Sequence, residues 1–287
     1  MNNDNNTKHP ILNHLSLCTG YEGIGQGLRR VLPTLREIAY SEIEDYAIAN
    51  LVTKIEEGRL HPAPIFTNLK TLPYRKFLGK VSVLSGGFPC QGFSHAGLRK
   101  GVDDPRHLYP FIAEGISQCK PTFVFLENVS GIISAKTHEG ESVLHYVCRD
   151  LESRGYKVSW GVFSASEVGL PHERKRVFIL GISKTKELVN PNCEGLQGQS
   201  QRQEWISDDA WSPSKWLETK VPARPNEPQH EWEHPRVITK GISQPKLGGT
   251  TDGFRHRDNR IRLLGNGVVP QVAAKAFITL LQKNLTK

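Results

Sequence analysis

The sequence predicts an α/β fold, a doubly wound sheet with a small, loop-rich subdomain carried late in the chain. Three observations predict it. Short apolar runs alternate with segments of helical periodicity over the first two-thirds of the 287 residues. Several of these runs are apolar throughout and end in turn residues, as strands buried on both faces do. From residue 183 to about 260 the apolar periodicity then disappears, and Pro, Gln and Trp take its place. Strands alternating with helices imply a parallel sheet with ligand sites at the carboxyl ends of its strands.

The elements follow in order. His14–Cys18 reads as the first strand, followed by a Gly-punctuated turn and a helix to about Val31; Glu37–Ser41 is the second strand. Ile43, Ala47, Ile48, Leu51, Val52 and Ile55 then recur at helical spacing, with Gly58 where a C-cap belongs. Val81–Ser85 and Thr122–Leu126 are the next strands. A helix from about Glu141 to Arg154, stopped by Gly155, leads to strands Lys157–Phe163 and Arg176–Gly181. After Pro270, residues Val272, Ala273, Ala276, Phe277, Leu280 and Leu281 mark an amphipathic helix with proline at its first position. It returns the chain to the main domain. The organisation is therefore 1–182 plus 261–287 as one domain, with residues 1–10 a frayed polar end, and 183–260 as the subdomain.

Composition limits the function classes. A hydrophobic fraction of 37% and a mean hydropathy of −0.43 describe a soluble protein, and no apolar run approaches the ~20 residues of a bilayer span. The polar start, Met1 to Thr7, lacks a signal peptide's apolar stretch. Five scattered cysteines, never paired as C-x-x-C, argue against a disulfide framework or structural zinc and for a reducing cytoplasm. Most are expected to be small buried hydrophobes. A net charge of +8 suits a polyanionic partner, nucleic acid or an acidic membrane surface.

Three segments carry chemistry. Leu15-Ser-Leu-Cys-Thr-Gly-Tyr-Glu-Gly-Ile-Gly-Gln-Gly-Leu28 sets glycines between a strand and a helix, where backbone can approach a nucleotide-like ligand, and Glu42 ends the next strand, in position for a ribose hydroxyl. The same segment also suits an ordinary glycine-rich turn of any α/β protein. Gly86-Gly-Phe-Pro-Cys-Gln-Gly-Phe-Ser94 puts a cysteine directly after a strand, in a Gly/Pro turn at the sheet's carboxyl edge; a buried structural thiol is the alternative. Phe125-Leu-Glu-Asn-Val129 brings a carboxyl and an amide out of a very apolar strand. A carboxyl there tends to keep its proton, although a capping Glu-Asn pair would read alike.

In this order, the three segments resemble the C5-cytosine DNA methyltransferase family: a glycine-rich cofactor loop, then Pro-Cys-Gln, then Glu-Asn-Val. Gly169-Leu-Pro-His-Glu-Arg-Lys-Arg-Val-Phe-Ile-Leu-Gly181 is similar to the family's arginine motif, and Leu264-Gly-Asn-Gly-Val-Val-Pro-Gln271 to its C-terminal cofactor motif. The resemblance covers about residues 14–182 and 261–281. It implies a Rossmann-like, S-adenosylmethionine-dependent methyltransferase sheet, with 183–260 as the target-recognition region. It also implies transfer of a methyl group from S-adenosylmethionine to carbon 5 of a cytosine flipped out of duplex DNA, with no metal.

The chemistry suits the residues. Carbon 5 of cytosine is a poor nucleophile until a thiolate adds at carbon 6, and that role falls to Cys90. Glu127 relieves charge at N3, Asn128 helps place it and the loop bearing Cys90, and Arg174 and Arg176 hold the flipped nucleotide, one of them near the cytosine carbonyl and the other supporting Glu127 or a phosphate. For the cofactor, the resemblance implies Thr19, Gly20, Tyr21 and Gly23 at the methionine end, Glu42 and Ile43 at the ribose, and Asn68 and Leu69 at the adenine. Pro89 and Leu108 flank it, and Asn266 and Gly267 close the site. Ser94 to Arg106 resembles the mobile loop over DNA, and with Gln91 just before it this implies Gln91, Ser94, Arg99 and Arg106 as DNA-contacting residues. Glu22 stands where the family usually has glycine, Asn68 where it usually has aspartate, and Thr251 to Arg262 is a shortened substitute for a further motif.

Residues 183–260 hold Trp205, Trp211, Trp216 and Trp232 among basic residues; these tryptophans suit either base and phosphate contacts or the subdomain's own small core. His230-Glu-Trp-Glu-His234 matches the zinc-peptidase signature, but Pro228 and Pro235 bracket it and leave little room for the helix that chemistry needs. The same motifs would also suit this chemistry on tRNA, or a DNA-binding relic without turnover. The expected partner is double-stranded DNA, with a cognate restriction endonuclease as a functional but not physical partner. The expected state is a cytoplasmic monomer.

Overall fold

In a computed structural model, residues 10–89, 108–137, 139–184 and 257–285 are described. The glycine-rich turn separates strand β1 (Leu12–Leu17) from helix α1 (Gly23–Val31), which is followed by β2 (Leu35–Ser41) and α2 (Asp45–Glu56). Gly58, just past the end of α2, takes the left-handed conformation (φ 68°) that stops the helix. Then come β3 (Ile65–Phe66), β4 (Val83–Gly87), α3 (Tyr109–Cys119), β5 (Phe123–Val129), α4 (Val143–Ser153), β6 (Tyr156–Phe163), β7 (Arg176–Ser183), α5 (Arg257–Asn266) and α6 (Pro270–Leu285).

The seven strands form one sheet in the order β3-β2-β1-β4-β5-β7-β6. Six run in one direction, and β7 alone runs antiparallel, to both of its neighbours β5 and β6. The doubly wound α/β class expected from the sequence is the one adopted, with one correction: the sheet is mixed rather than wholly parallel. The reason is local. The segment joining β6 to β7, Ser164–Lys175, holds one 3-10 turn and no crossover α-helix, and it returns β7 antiparallel into the place between β5 and β6.

Helices cover both faces. α1 and α6 lie on one, where Leu28, Phe125, Phe178 and Phe277 are fully buried; the rings of Phe125 and Phe178 stack at 5.3 Å and Phe277 meets Phe125 edge-on. α3 and α4 cover the other, where Tyr109, Ile112, Val147 and Leu151 pack on Leu84, Val124 and Leu126. Burial of this kind contributes about 1.5–3 kcal/mol per large side chain and fixes the central strands. Residues Arg262–Asn284 are long and apolar enough in composition for a membrane span, but the helix is interrupted at residues 267–269, and Val272, Ala273, Ala276, Phe277 and Leu280 are spent on the core. The sheet's carboxyl edge gathers the ends of β1, β2, β4 and β5 on one side of the molecule.

Candidate active site

A cleft of about 830 Å3 opens at that edge, within the size range of small-ligand sites. Glu42 marks one part of its wall. The carboxylate accepts hydrogen bonds from the backbone N–H of Gly20 (2.7 Å), Ile43 (2.9 Å) and Glu44 (2.9 Å). Those bonds lock the end of β2 to the glycine turn after β1. Thr19 completes the lock: its N–H donates to Ser41, and its hydroxyl donates to the carbonyls of Ser16 and Ser41.

Gly20, Glu42, Ile43, Asn68, Leu69, Pro89, Leu108, Asn266 and Gly267 line the cleft. Asn68 is exposed there, with its Oδ1 capping the short turn of Leu69–Thr71 by accepting from Lys70 N–H at 2.9 Å. Thr19, Tyr21 and Gly23 lie behind the lining instead. Tyr21 supports the C-terminal turn, its hydroxyl donating to the Val268 carbonyl and its ring lying against Gly267.

Glu127, two residues before the end of β5, lies inside the same cleft, 7% exposed. Arg176, at the start of β7, reaches its Oε1 at 2.9 Å through Nε. The register that sets β5 against β7 pairs Glu127 with Phe178, so Arg176 lies near the mouth. On the other side β4 pairs Gly87 with Glu127; a Cβ at residue 87 would come within 2.8 Å of the Glu127 carboxyl, so only glycine leaves that space. Burial pushes the Glu127 carboxyl up to about 7, although Arg176 and Arg174 pull the other way. A carboxyl poised there can hold or share a proton near neutral pH.

Asn128 is buried beside it. Its Nδ2 donates to the carbonyl of Phe88 at 2.8 Å, and its Oδ1 accepts from Val129 N–H. Phe88 and Pro89 lead in sequence directly to Cys90. Arg174 has a different place from its neighbour: its guanidinium donates to the carbonyls of Gly265 and Gly267, tying the arginine motif to the turn between α5 and α6. Arg262 of α5 reaches across the cleft to Glu44 at 2.6 Å. Neither contact is visible in sequence, because the partners lie 91 to 93 and 218 residues apart. Cys90, Gln91, Ser94, Arg99 and Arg106 lie outside the described residues, as do the four tryptophans between residues 205 and 232 and the His230–His234 match.

A family model described as C-5 cytosine-specific DNA methylase matches residues 12–227. The chain belongs to the C-5 cytosine-specific DNA methylases. This member of the family is 39% identical over 161 residues to the type II methyltransferase M.NgoBV of Neisseria gonorrhoeae, a match spanning 54% of the chain and 34% of that relative. It is also 39% identical over 171 residues to the type II methyltransferase M1.ScrFI of Lactococcus lactis subsp. cremoris, spanning 59% and 41%. The matched part therefore covers less than half of either relative's length. Among solved structures, a putative DNA modification methyltransferase encoded within an E. coli prophage superposes with a TM-score of 0.47 at 25% identity, over 60% of this chain and 47% of that one. Within this methylase, Glu127, Asn128 and Arg176 share one cleft with Glu42 and the glycine turn.

Proposed function

We propose that the chain is a DNA (cytosine-5)-methyltransferase acting on a cytosine flipped out of duplex DNA. The observation that carries the reading is the Glu127 carboxyl, buried at the inner end of the cleft, held by Arg176 and poised near neutrality. S-adenosylmethionine, when bound, supplies the electrophilic methyl group. The residues fit it: the cleft pairs a close-approach backbone at Gly20 with an acidic side chain, Glu42, and an adenine-side amide, Asn68.

The thiolate of Cys90 adds to carbon 6 of the cytosine while Glu127 shares its proton with N3, so that the ring gains no net negative charge. Carbon 5 thereby becomes nucleophilic and takes the methyl group. Transfer of the carbon-5 proton to solvent then expels the Cys90 thiolate, and N3 returns its proton to Glu127. Arg176 steadies the carboxyl through the cycle, and Asn128 steadies the segment leading to Cys90. Gln91, Ser94, Arg99 and Arg106 contribute to holding the nucleotide and its backbone, and Arg174 holds the turn that closes the cofactor end. Residues 183–260 read the target sequence. The relatives' names as type II methyltransferases support a role in protecting DNA alongside an endonuclease that it need not touch.

The test is conversion sequencing of 5-methylcytosine in DNA from a methylation-free bacterial host expressing wild type or Cys90→Ala. A short motif methylated only by the wild type supports the reading. Methylation by both proteins removes Cys90 from the mechanism, and methylation of tRNA alone replaces the substrate.

A further inference from the structure

Beneath the glycine turn lies a polar cluster that the reaction does not use. Glu22, the residue before α1, has a left-handed backbone (φ 67°), a conformation that disfavours any residue but glycine. Its side chain is turned inward and is 1% exposed. Ser16 of β1 donates to its Oε2 at 2.7 Å. Its Oε1 has no hydrogen-bond partner among the described residues and faces Nδ1 of His14, likewise unpartnered, at 3.6 Å. His14, wholly buried, lies against Ser85 of β4 through Nε2 at 2.8 Å, and its Nδ1 is also 3.6 Å from Glu37 of β2.

Because Nδ1 looks at two carboxylates, it carries the imidazole proton, and Nε2 accepts from the Ser85 hydroxyl. Glu37 is already engaged: Arg29 donates to Oε1, and His61 lies 2.6 Å from Oε2. A divalent cation in the cluster would crowd the Arg29 guanidinium, so the arrangement is an anchor and not a metal cage.

Gly25, one turn along α1, makes the space. A Cβ there would lie 1.6 Å from Glu22 Oε1 and 3.0 Å from the His14 ring. We infer that Glu22 is a positioning residue for the cofactor turn, its buried side chain fastening residues 18–23 from below to Ser16 and His14 of β1, with His14 in turn lying against Glu37 of β2 and Ser85 of β4. Above, the same turn is held by Glu42 through Gly20 N–H, and between them Glu22 N–H closes on the Thr19 carbonyl at 2.9 Å. The glutamate at a position where the family usually has glycine is then a fixing point for the turn, not a defect in it. The inference rests on the cofactor reading above.

The test is a double-mutant cycle read by calorimetric binding of S-adenosylhomocysteine and by steady-state kinetics. Glycine suits φ 67° better than glutamate, so a backbone-only role predicts that Glu22→Gly binds as well as wild type or better. An anchoring role predicts affinity weaker by about tenfold, one lost charge-assisted contact, with kcat at saturating cofactor within about twofold of wild type. Glu22→Gln, which keeps the shape and the Ser16 contact, falls between. Gly25→Ala, which improves helix propensity, is expected to weaken binding at least as much, by evicting the Glu22 side chain, and to have no further effect in the Glu22→Gly background.

Wild-type affinity in Glu22→Gly, or an undiminished Gly25→Ala effect in that background, overturns the inference. If wild type fails to bind S-adenosylhomocysteine, it is the cofactor reading that falls. The Glu22–Gly25 coupling is then read from thermal unfolding of the same four proteins, and its absence overturns the anchor as well.

Discussion

The side-chain amide of Asn128, at the end of β5, donates to the backbone carbonyl of Phe88, 2.8 Å away past the end of β4, and both residues are buried. Forty residues apart in sequence, they join the strand end that carries Glu127 to the segment that runs into Cys90. Asn128→Ala leaves that carbonyl buried without its donor. The expected cost is about 1–3 kcal/mol in denaturant unfolding, with a fall in kcat larger than any rise in the cofactor KM. Asn128→Asp, which turns an acceptor toward the same carbonyl, is expected to be worse than alanine. Equal activity in all three proteins would show that the contact does not place the site.

Glu127 predicts the shape of the pH profile. In the proposed reaction its acid form is the active one, so kcat/KM for DNA declines as pH rises through about 7. Glu127→Gln is slow and lacks that limb. The stability linkage has the same direction: the folded pKa lies above the ordinary 4.5, so this carboxyl's contribution is full below about 4.5 and is lost as pH rises through about 7. A wild-type rate that is flat from pH 6 to 8.5 is the contrary result.

His14 acts in the opposite sense. Burial holds its imidazole down at about 4, from an ordinary value of 6.5. Its contribution is therefore full above 6.5 and lost as pH falls toward 4, because the unfolded chain takes up the proton first. Chemical unfolding of wild type against His14→Asn, which cannot titrate, should show the difference between the two shrinking as pH falls across that window. A constant difference would mean that the imidazole charges within the fold.

The C-terminal turn is fixed by close contact. A Cβ on Gly267 would lie 1.7 Å from the Tyr21 ring, whose hydroxyl holds Val268. Gly267→Ala is expected to cost about 1–3 kcal/mol and to raise the cofactor KM, while Tyr21→Phe, which loses one hydrogen bond, costs about 1 kcal/mol. Thermal unfolding and cofactor titration read both. An unchanged melting temperature in Gly267→Ala would mean that the turn is free to move away.

Thiol reactivity separates the cysteines. Burial pushes Cys18 and Cys148 up to about 12, and Cys119 is fully buried with its thiol against the Tyr74 carbonyl. Thiol titration of the folded protein at neutral pH should therefore find no fast-reacting group in a variant lacking Cys90 and Cys193. A fast thiol in that variant would contradict the burial of Cys119 and Cys148 and the raised Cys18 thiol, which is half-buried in the cleft wall.

Several elements were legible because their signal is local. β1, α1, β2 and α6 announce themselves by apolar runs, helical spacing, and the glycine or proline at their ends, and Glu127 by its place at the end of an apolar strand. α3 was not legible. Tyr109, Ile112, Ala113, Gly115, Ile116 and Cys119 are all buried, so its faces show little polar contrast, and Pro110 and Gly115 within it look like breakers. β3 is two residues long and exists only because β2 offers it an edge. Of the cofactor shell, Thr19, Tyr21 and Gly23 were expected at the ligand and instead buttress the residues that line the cleft.

The sequence by itself determined the order of strands and helices, the chemical character of the turn after each strand, and the set of groups available for catalysis, since periodicity and turn chemistry are properties of neighbouring residues. Only the tertiary structure decided that β7 runs antiparallel, that Arg176 rather than Arg174 holds Glu127, that Arg174 fastens a turn some ninety residues away, and that the Glu22 carboxylate is buried against His14. Those outcomes depend on which strand ends meet at one edge and on which polar atoms find partners once water is excluded. Contacts between distant segments have no signature in either segment alone.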